Sequence, residues 1–245
     1  MNHKTLTVLS ELNRDFYSRF AQDFARTRRT WPPGFERILP DVRAAANVLD
    51  LGCGNGRFLN FLAARGWHGA YTGVDSSETL LDIARQTAHG APGIQTRFQL
   101  TDLLAPGWAA QLVDRPADAI VCLAVLHHIP GKTNRERFVA DCAALLAPGG
   151  RIIVSTWQFT SSERLRTRLL PWEAIGLRQE ELEPGDYLLG WGQGMAGRRY
   201  CASIGKADLA HLAAAAGLTL VSTFFADGLE GNLNLYGIFS SPARC

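Results

Sequence analysis

The residues best suited to chemistry stand where apolar runs end. "VLDLGCGNGRF" (48–58) leads a short apolar stretch into Gly52, Gly54 and Gly56, and then into a second apolar segment. Glycines at such a junction permit a tight turn and let backbone N–H groups approach a ligand at a helix N-terminus. The spacing is G-x-G-x-G, whereas the dinucleotide fingerprint is G-x-G-x-x-G. A turn with no ligand would use the same glycines, so the neighbouring acids carry the choice. Asp50 lies two residues before the first glycine, Asp75 closes "AYTGVD" (70–75), and Asp102 closes "TRFQLTD" (96–102). A carboxylate at the end of a second strand can accept from ribose hydroxyls, and one at the end of a third can accept from an exocyclic amine. Three acids along one sheet edge, beside a glycine turn, suit a nucleoside.

Placing these groups on one edge requires a strand-helix alternation. Strands are expected at 47–52, 70–75, 96–102, from 117, and at 151–156. Helices are expected from Gly56 to Arg65, after a Ser76 cap to Thr87, and from a Thr133–Glu136 capping box to Leu146, with "APGG" (147–150) as its stop. Repeated βα order implies a parallel, doubly wound sheet with right-handed crossovers. A helix at Lys206–Ala216 and strands at Leu218–Phe225 and near Asn232–Phe239 follow. The gap between those strands is too short for a crossover, so they are expected to pair as an antiparallel hairpin. Upstream, Leu9, Leu12, Phe16, Phe20 and Phe24 recur at helical spacing over residues 5–26, and a short helix is expected at 34–45.

The bulk composition narrows the function classes. The 245 residues, 47% hydrophobic and 20% charged, suit one α/β domain. A net charge of +2 argues against a strongly basic nucleic-acid surface, so any such contact has to be local. Cys53, Cys122, Cys142, Cys201 and Cys245 form no CxxC pair and no Cys/His ligand set, so no metal site is expected. Their odd count and the lack of a secretory segment point to a reducing cytoplasm. No apolar run is long enough to suggest a membrane span.

In combination, the motifs of residues 47–156 resemble the class I S-adenosylmethionine-dependent methyltransferases. The resemblance implies a Rossmann-like, doubly wound seven-stranded sheet with an antiparallel last strand. It also implies a single domain over 1–245: an N-terminal helical cap (1–46), a cofactor-binding core (47–156), a substrate-side insertion after strand 5 (157–200), and a C-terminal helix and β-hairpin (201–245). S-adenosyl-L-methionine is then the cofactor. Gly52, Cys53 and Gly54 would line its methionine moiety, Asp75 its ribose, Asp102 and Leu103 its adenine, and Leu123 and Ala124 its sulfonium side. Asp50, Asn55, Gly56 and Ser76 complete that set.

The acceptor side is less constrained. Methyl transfer to a carboxylate needs no general base, so positioning residues suffice. "AVLHHIP" (124–130) offers His127 and His128, of which one is expected to face the cleft and the other to pack or cap. Tyr17, Ala21, Phe24, Thr27, Arg28, Trp31 and Pro32, with "LHHI" (126–129), "LPW" (170–172) and "RRY" (198–200), resemble the tRNA wobble-uridine (carboxymethyluridine) methyltransferases and their bacterial relatives. That resemblance implies esterification of a 5-carboxymethyl group on the wobble uridine of tRNA, and it leaves room for a small zinc-containing activator protein. Cys201 departs from the family, which has an aromatic residue there. Arg28 or Arg199 can grip a carboxylate bidentately, and Trp31, Trp172 or Tyr200 can stack on a splayed base. Arg28 can equally hold the cofactor's carboxylate. Arg164, Arg166 and Arg168 fit either a phosphate track or a solvated helix face. The alternative is a small-molecule carboxyl or O-methyltransferase with the 157–200 insertion as a lid carrying Trp172, Tyr187 and Trp191. A third reading is a support subunit that binds cofactor without catalysis.

Overall fold

A computed structural model describes residues 1–27, 30–88, 93–112, 116–192 and 196–242. Its centre is a seven-stranded sheet made of β1 (Asn47–Leu51), β2 (Gly69–Asp75), β3 (Ile94–Leu100), β4 (Ala117–Leu123), β5 (Leu146–Trp157), β9 (Thr219–Ala226) and β10 (Asn234–Ser240). The spatial order is β3-β2-β1-β4-β5-β10-β9. The strands from β3 to β5 pair in parallel, while β10 runs antiparallel to both neighbours. The order reverses between β1 and β4, and a crevice opens there at the carboxyl ends of the strands. Val48, Leu49 and Leu51 of β1 are all buried because helices cover both faces of a parallel sheet.

Helices α4 (Arg57–Ala64), α5 (Glu78–Ala88), α6 (Lys132–Ala144) and α8 (Lys206–Ala215) flank the sheet. Two expected caps are corrected. The α5 cap is Ser77, whose hydroxyl accepts from Leu80 N at 3.4 Å; Ser76 stays at the crevice. The Thr133–Glu136 box does not form: Gly131 precedes α6, Lys132 N donates to Glu183 Oε2 at 2.9 Å, and Glu136 faces His211. "APGG" belongs to β5, which pairs with β4 from Leu146 onward across an irregular register.

The N-terminal cap consists of α1 (His3–Arg19), α2 (Ala21–Arg26) and α3 (Pro33–Val42), with the expected first helix broken at Phe20. The insertion builds its own three-stranded antiparallel sheet from β6 (Leu169–Leu170), β7 (Asp186–Trp191) and β8 (Gly197–Ala202), with the short α7 (Glu163–Arg166) before it. That sheet continues to Ala202, past the expected limit at 200. Asn13 ties the cap to it: its Oδ1 accepts from Tyr200 N at 2.8 Å, and its Nδ2 donates to the carbonyls of Tyr200 and His128. Buried Asn side chains satisfied at both ends fix an approach angle, so α1 is held over the crevice. Among the described residues, no helix is long and apolar enough to cross a membrane.

Candidate functional site

The crevice holds a cavity of about 810 Å³ between the carboxyl ends of the central strands, α1, residues 30–35 and the insertion. The glycine turn forms one wall. Gly52 N and Cys53 N both donate to Val74 O, at 2.7 and 3.0 Å, which folds the chain tightly back on β2. Gly52 has φ +74, and a Cβ there would lie 2.3 Å from Val125 Cγ2, so only glycine fits. Gly54, with nothing within 4 Å of its missing Cβ, leaves the backbone open to the cavity.

The acids stand as follows. Asp75 is buried; its Oδ2 accepts from Gly54 N and its Oδ1 from Ser77 N, both at 2.9 Å. Burial pushes its carboxyl above the ordinary value, opposed by those N–H donors. Its remaining lone pairs can accept from a vicinal diol. Asp50 lies deeper and takes the Tyr71 hydroxyl at 2.5 Å; burial raises it to about 7 despite that bond, and the Asp75 charge adds to the rise. Asp102 accepts from Leu104 N at 2.9 Å and pairs with Arg14 at 2.8 Å. Arg14 and Asp102 lie 88 positions apart in the chain, so local patterning holds no sign of the pair. Cys53, Asn55, Ser76, Leu103, Leu123 and Ala124 also line the cavity. Gly56 is not among the lining residues and instead precedes α4 with φ +73. The Cys53 thiol is pushed well up by burial, so it stays protonated. Ala124 holds a left-handed φ of 61°, with its N–H on the Ser155 hydroxyl at 2.9 Å. Such strain in a non-glycine residue is sustained by surrounding contacts and clusters at functional sites.

The opposite wall carries the acceptor-side residues. His127 and His128 both line the cavity, contrary to the expected split, because they sit in a tight 3₁₀ turn at Leu126–His128. His127 Nδ1 accepts from Trp157 N at 3.3 Å, so the ring proton belongs on Nε2. Burial, with the nearby His128 and Arg199, drives its basicity well below the ordinary value and keeps it neutral. The carbonyl of Tyr200 accepts from His128 Nδ1 at 3.0 Å, so the Tyr17 hydroxyl donates to His128 Nε2 at 2.7 Å. Arg199 is 6% exposed and lies 4.7 Å from the Trp157 ring centroid and 5.1 Å from that of Phe16. Its Nε has no hydrogen-bond partner among the described residues.

Two expected acceptor residues fall elsewhere. Tyr200 is fully buried: its hydroxyl donates to Asp186 at 2.6 Å and accepts from Arg135 at 3.1 Å, and it does not reach the cavity. Trp172 is likewise in the core. Trp31 does line the cavity, 40% exposed, with its edge on Phe61. Arg28 lies outside the described residues. Of the expected lid residues, Tyr187 packs on Phe159 and Trp191 on Phe16 and Phe20, away from the cavity. Of the arginine run, Arg164 lines the cavity, while Arg166 donates to Thr160 O. Sequence reasoning also missed Arg57, the first residue of α4. It lines the cavity beside Thr30 O, 5.4 Å from the Phe35 ring centroid.

A seven-stranded sheet in this order, with a glycine turn after β1 and an acid closing β2, defines a class I methyltransferase. A family model described as a methyltransferase domain matches residues 21–223, and the chain belongs to that family. A ubiquinone biosynthesis O-methyltransferase of Coxiella burnetii is 38% identical over 111 residues, which is 45% of this chain and 43% of the relative. One of Xylella fastidiosa is 40% identical over 117 residues, 46% of this chain and 42% of the relative. The matched stretch is thus under half of either relative. Among solved structures, the magnesium protoporphyrin IX methyltransferase of Synechocystis PCC 6803 shares the fold, with a TM-score of 0.64 and 22% identity over 95% of this chain and 99% of its own.

The residues present fit S-adenosyl-L-methionine, the cofactor of class I methyltransferases. Asp75 presents free acceptor capacity, Gly54 presents open backbone, and Arg57 presents a cation at the start of α4 that can take a carboxylate.

Proposed function

We propose that the protein is a small-molecule O-methyltransferase. The observation that carries this reading is the continuity of one cavity: Asp75 and Gly54 line one end, and His127 and Arg199 line the other. A support subunit would have no use for such a passage. When bound, S-adenosyl-L-methionine supplies a methyl group on a sulfonium; the acceptor oxygen forms the new C–O bond as the S–C bond breaks, leaving a thioether. The chain's own part is positioning and exclusion of water. Asp75 and the glycine turn hold the nucleoside end. Ala124, fixed by Ser155, shapes the floor between the two walls, and α1 roofs it. His127 presents an N–H and not a base, so the acceptor oxygen has to arrive ionised or lose its proton to solvent on binding.

The names of the two relatives support oxygen as the acceptor atom. The tRNA reading has weaker support from the fold. Two of its three stacking residues, Trp172 and Tyr200, are core residues, and Arg199 turns inward and leaves any outer basic strip. A transfer assay decides between them. Tritiated methyl from S-adenosyl-L-methionine is offered to a metabolite extract and to bulk tRNA. Label in small solvent-extractable products is expected. Alkali-labile label in tRNA, with none in the extract, would overturn this reading.

A further inference from the structure

Every other strongly buried cation among the described residues has a partner, and Arg199 does not. Arg135, as deeply buried, donates to Ile129 O and the Tyr200 hydroxyl and lies 3.6 Å from Glu183. Arg199 forms no ion pair with any described carboxylate, and its Nε is an orphaned donor inside the wall. Aromatic faces on two sides stabilise a guanidinium but satisfy none of its five N–H groups. An unpaired buried charge is expensive, so a fold that keeps one has a counter-ion for it in its working state.

Resting on the small-molecule reading above, we propose that Arg199 is the anion receptor of the acceptor subsite, and that the acceptor is therefore an oxyanion, a carboxylate or an acidic phenol, on an apolar or planar body. Four described arginines line the cavity: Arg14 pairs with Asp102, Arg164 belongs to the short α7, and Arg57 and Arg199 face the cavity from opposite walls, where their placement assigns their ligands. Arg57 stands three residues beyond Gly54, on the wall of the glycine turn, where the cofactor's own carboxylate would lie. Arg199 stands with His127 and Trp157 at the ends of β4 and β5, on the far wall. There the Nε2–H of His127 has no hydrogen-bond partner among the described residues and can join the guanidinium. A cation and a neutral N–H converging on one oxygen group make a two-donor cradle, which an ether or amide would fill less well. Trp157 and Leu233, both at the cavity, supply apolar surface for the acceptor's body. The oxyanion needs no proton removed, in accord with the absence of a base at His127.

The test measures binding and leaves transfer aside. The protein is saturated with S-adenosylhomocysteine and titrated with benzoate, salicylate and 2-naphthoate, and with the primary amide of each, following tryptophan fluorescence and calorimetry. At least one acid is expected to bind roughly tenfold or more tighter than its amide, and R199Q to lose that preference. The affinity of R199Q for S-adenosylhomocysteine should stay within about threefold of wild type, and R199K should regain part of the acid binding. Acids binding no better than amides, no acid binding at all, or an R199Q variant that loses S-adenosylhomocysteine but keeps the acids would each overturn the assignment. If R199Q does not fold, the acid-against-amide contrast in the wild type decides. Failure here leaves the transfer assay above to judge the small-molecule reading on its own.

Discussion

Asp50 should make the cofactor-free protein lose stability as pH rises. Its carboxyl is 2% exposed, and burial lifts it from 3.8 to about 7. The folded chain therefore keeps this proton up to about pH 7, whereas the unfolded chain releases it near 3.8. Between those values the folded state binds more protons, so raising the pH through that window favours unfolding, with no further loss above it. At roughly 1.4 kcal/mol per pH unit, the whole window corresponds to about 4 kcal/mol. Roughly 2–3 kcal/mol of it falls between about pH 5 and pH 8. Asp50→Asn removes the titration while its amide oxygen still accepts from Tyr71. Urea unfolding of wild type and variant at both pH values isolates the titration of Asp50 and of the groups coupled to it, such as Asp75, since remote groups titrate alike in the two proteins. The wild type should lose about 2–3 kcal/mol more than the variant on going to pH 8. Equal losses would show that Asp50 is ionised in the fold and that burial does not dominate its environment.

Three further outcomes follow from the geometry. Asp75→Ala strips the acceptor from two backbone N–H groups and from any ribose, so calorimetry should show S-adenosylhomocysteine affinity lower by roughly 10- to 100-fold; undiminished affinity would remove Asp75 from the site. Gly52→Ala forces a Cβ into Val125 at φ +74 and should cost about 2–4 kcal/mol in chemical denaturation, and a wild-type midpoint would contradict that crowding. Tyr200→Phe leaves Asp186 and Arg135 short of a partner and should cost about 1–3 kcal/mol of stability, while S-adenosylhomocysteine binding stays unchanged; a large loss of binding with full stability would return Tyr200 to the cavity.

The sheet and its glycine turn were legible because their signals are local: apolar runs of strand length, glycines at a junction, and acids at strand ends. The antiparallel hairpin followed from a connection too short to cross over. The acceptor wall was not legible in the same way. Arg199 and Tyr200 are consecutive in β8, and side chains in a strand alternate between its faces, so they cannot both enter one cavity. That rule could have separated them had β8 been recognised, but β6 has only two residues and the small sheet gives little periodic pattern. The pairing of Arg14 with Asp102 and the tie between Asn13 and Tyr200 join positions far apart in the chain, and charge or amide residues on a helix face read as solvated. The Thr133–Glu136 motif failed because the helix already begins at Lys132, with Gly131 before it, and the Glu136 carboxylate turns to His211.

The central claim is that one continuous cavity seats the cofactor on the glycine-turn wall and an oxygen acceptor on the Arg199 wall. A crystal structure of the complex with S-adenosylhomocysteine tests it most directly. The account predicts ribose hydroxyls within hydrogen-bond distance of Asp75, the cofactor carboxylate near Arg57, and the sulfur opening toward His127 and Arg199. A complex in which Arg199 grips the cofactor's own carboxylate, or the sulfur faces away from His127, would contradict it.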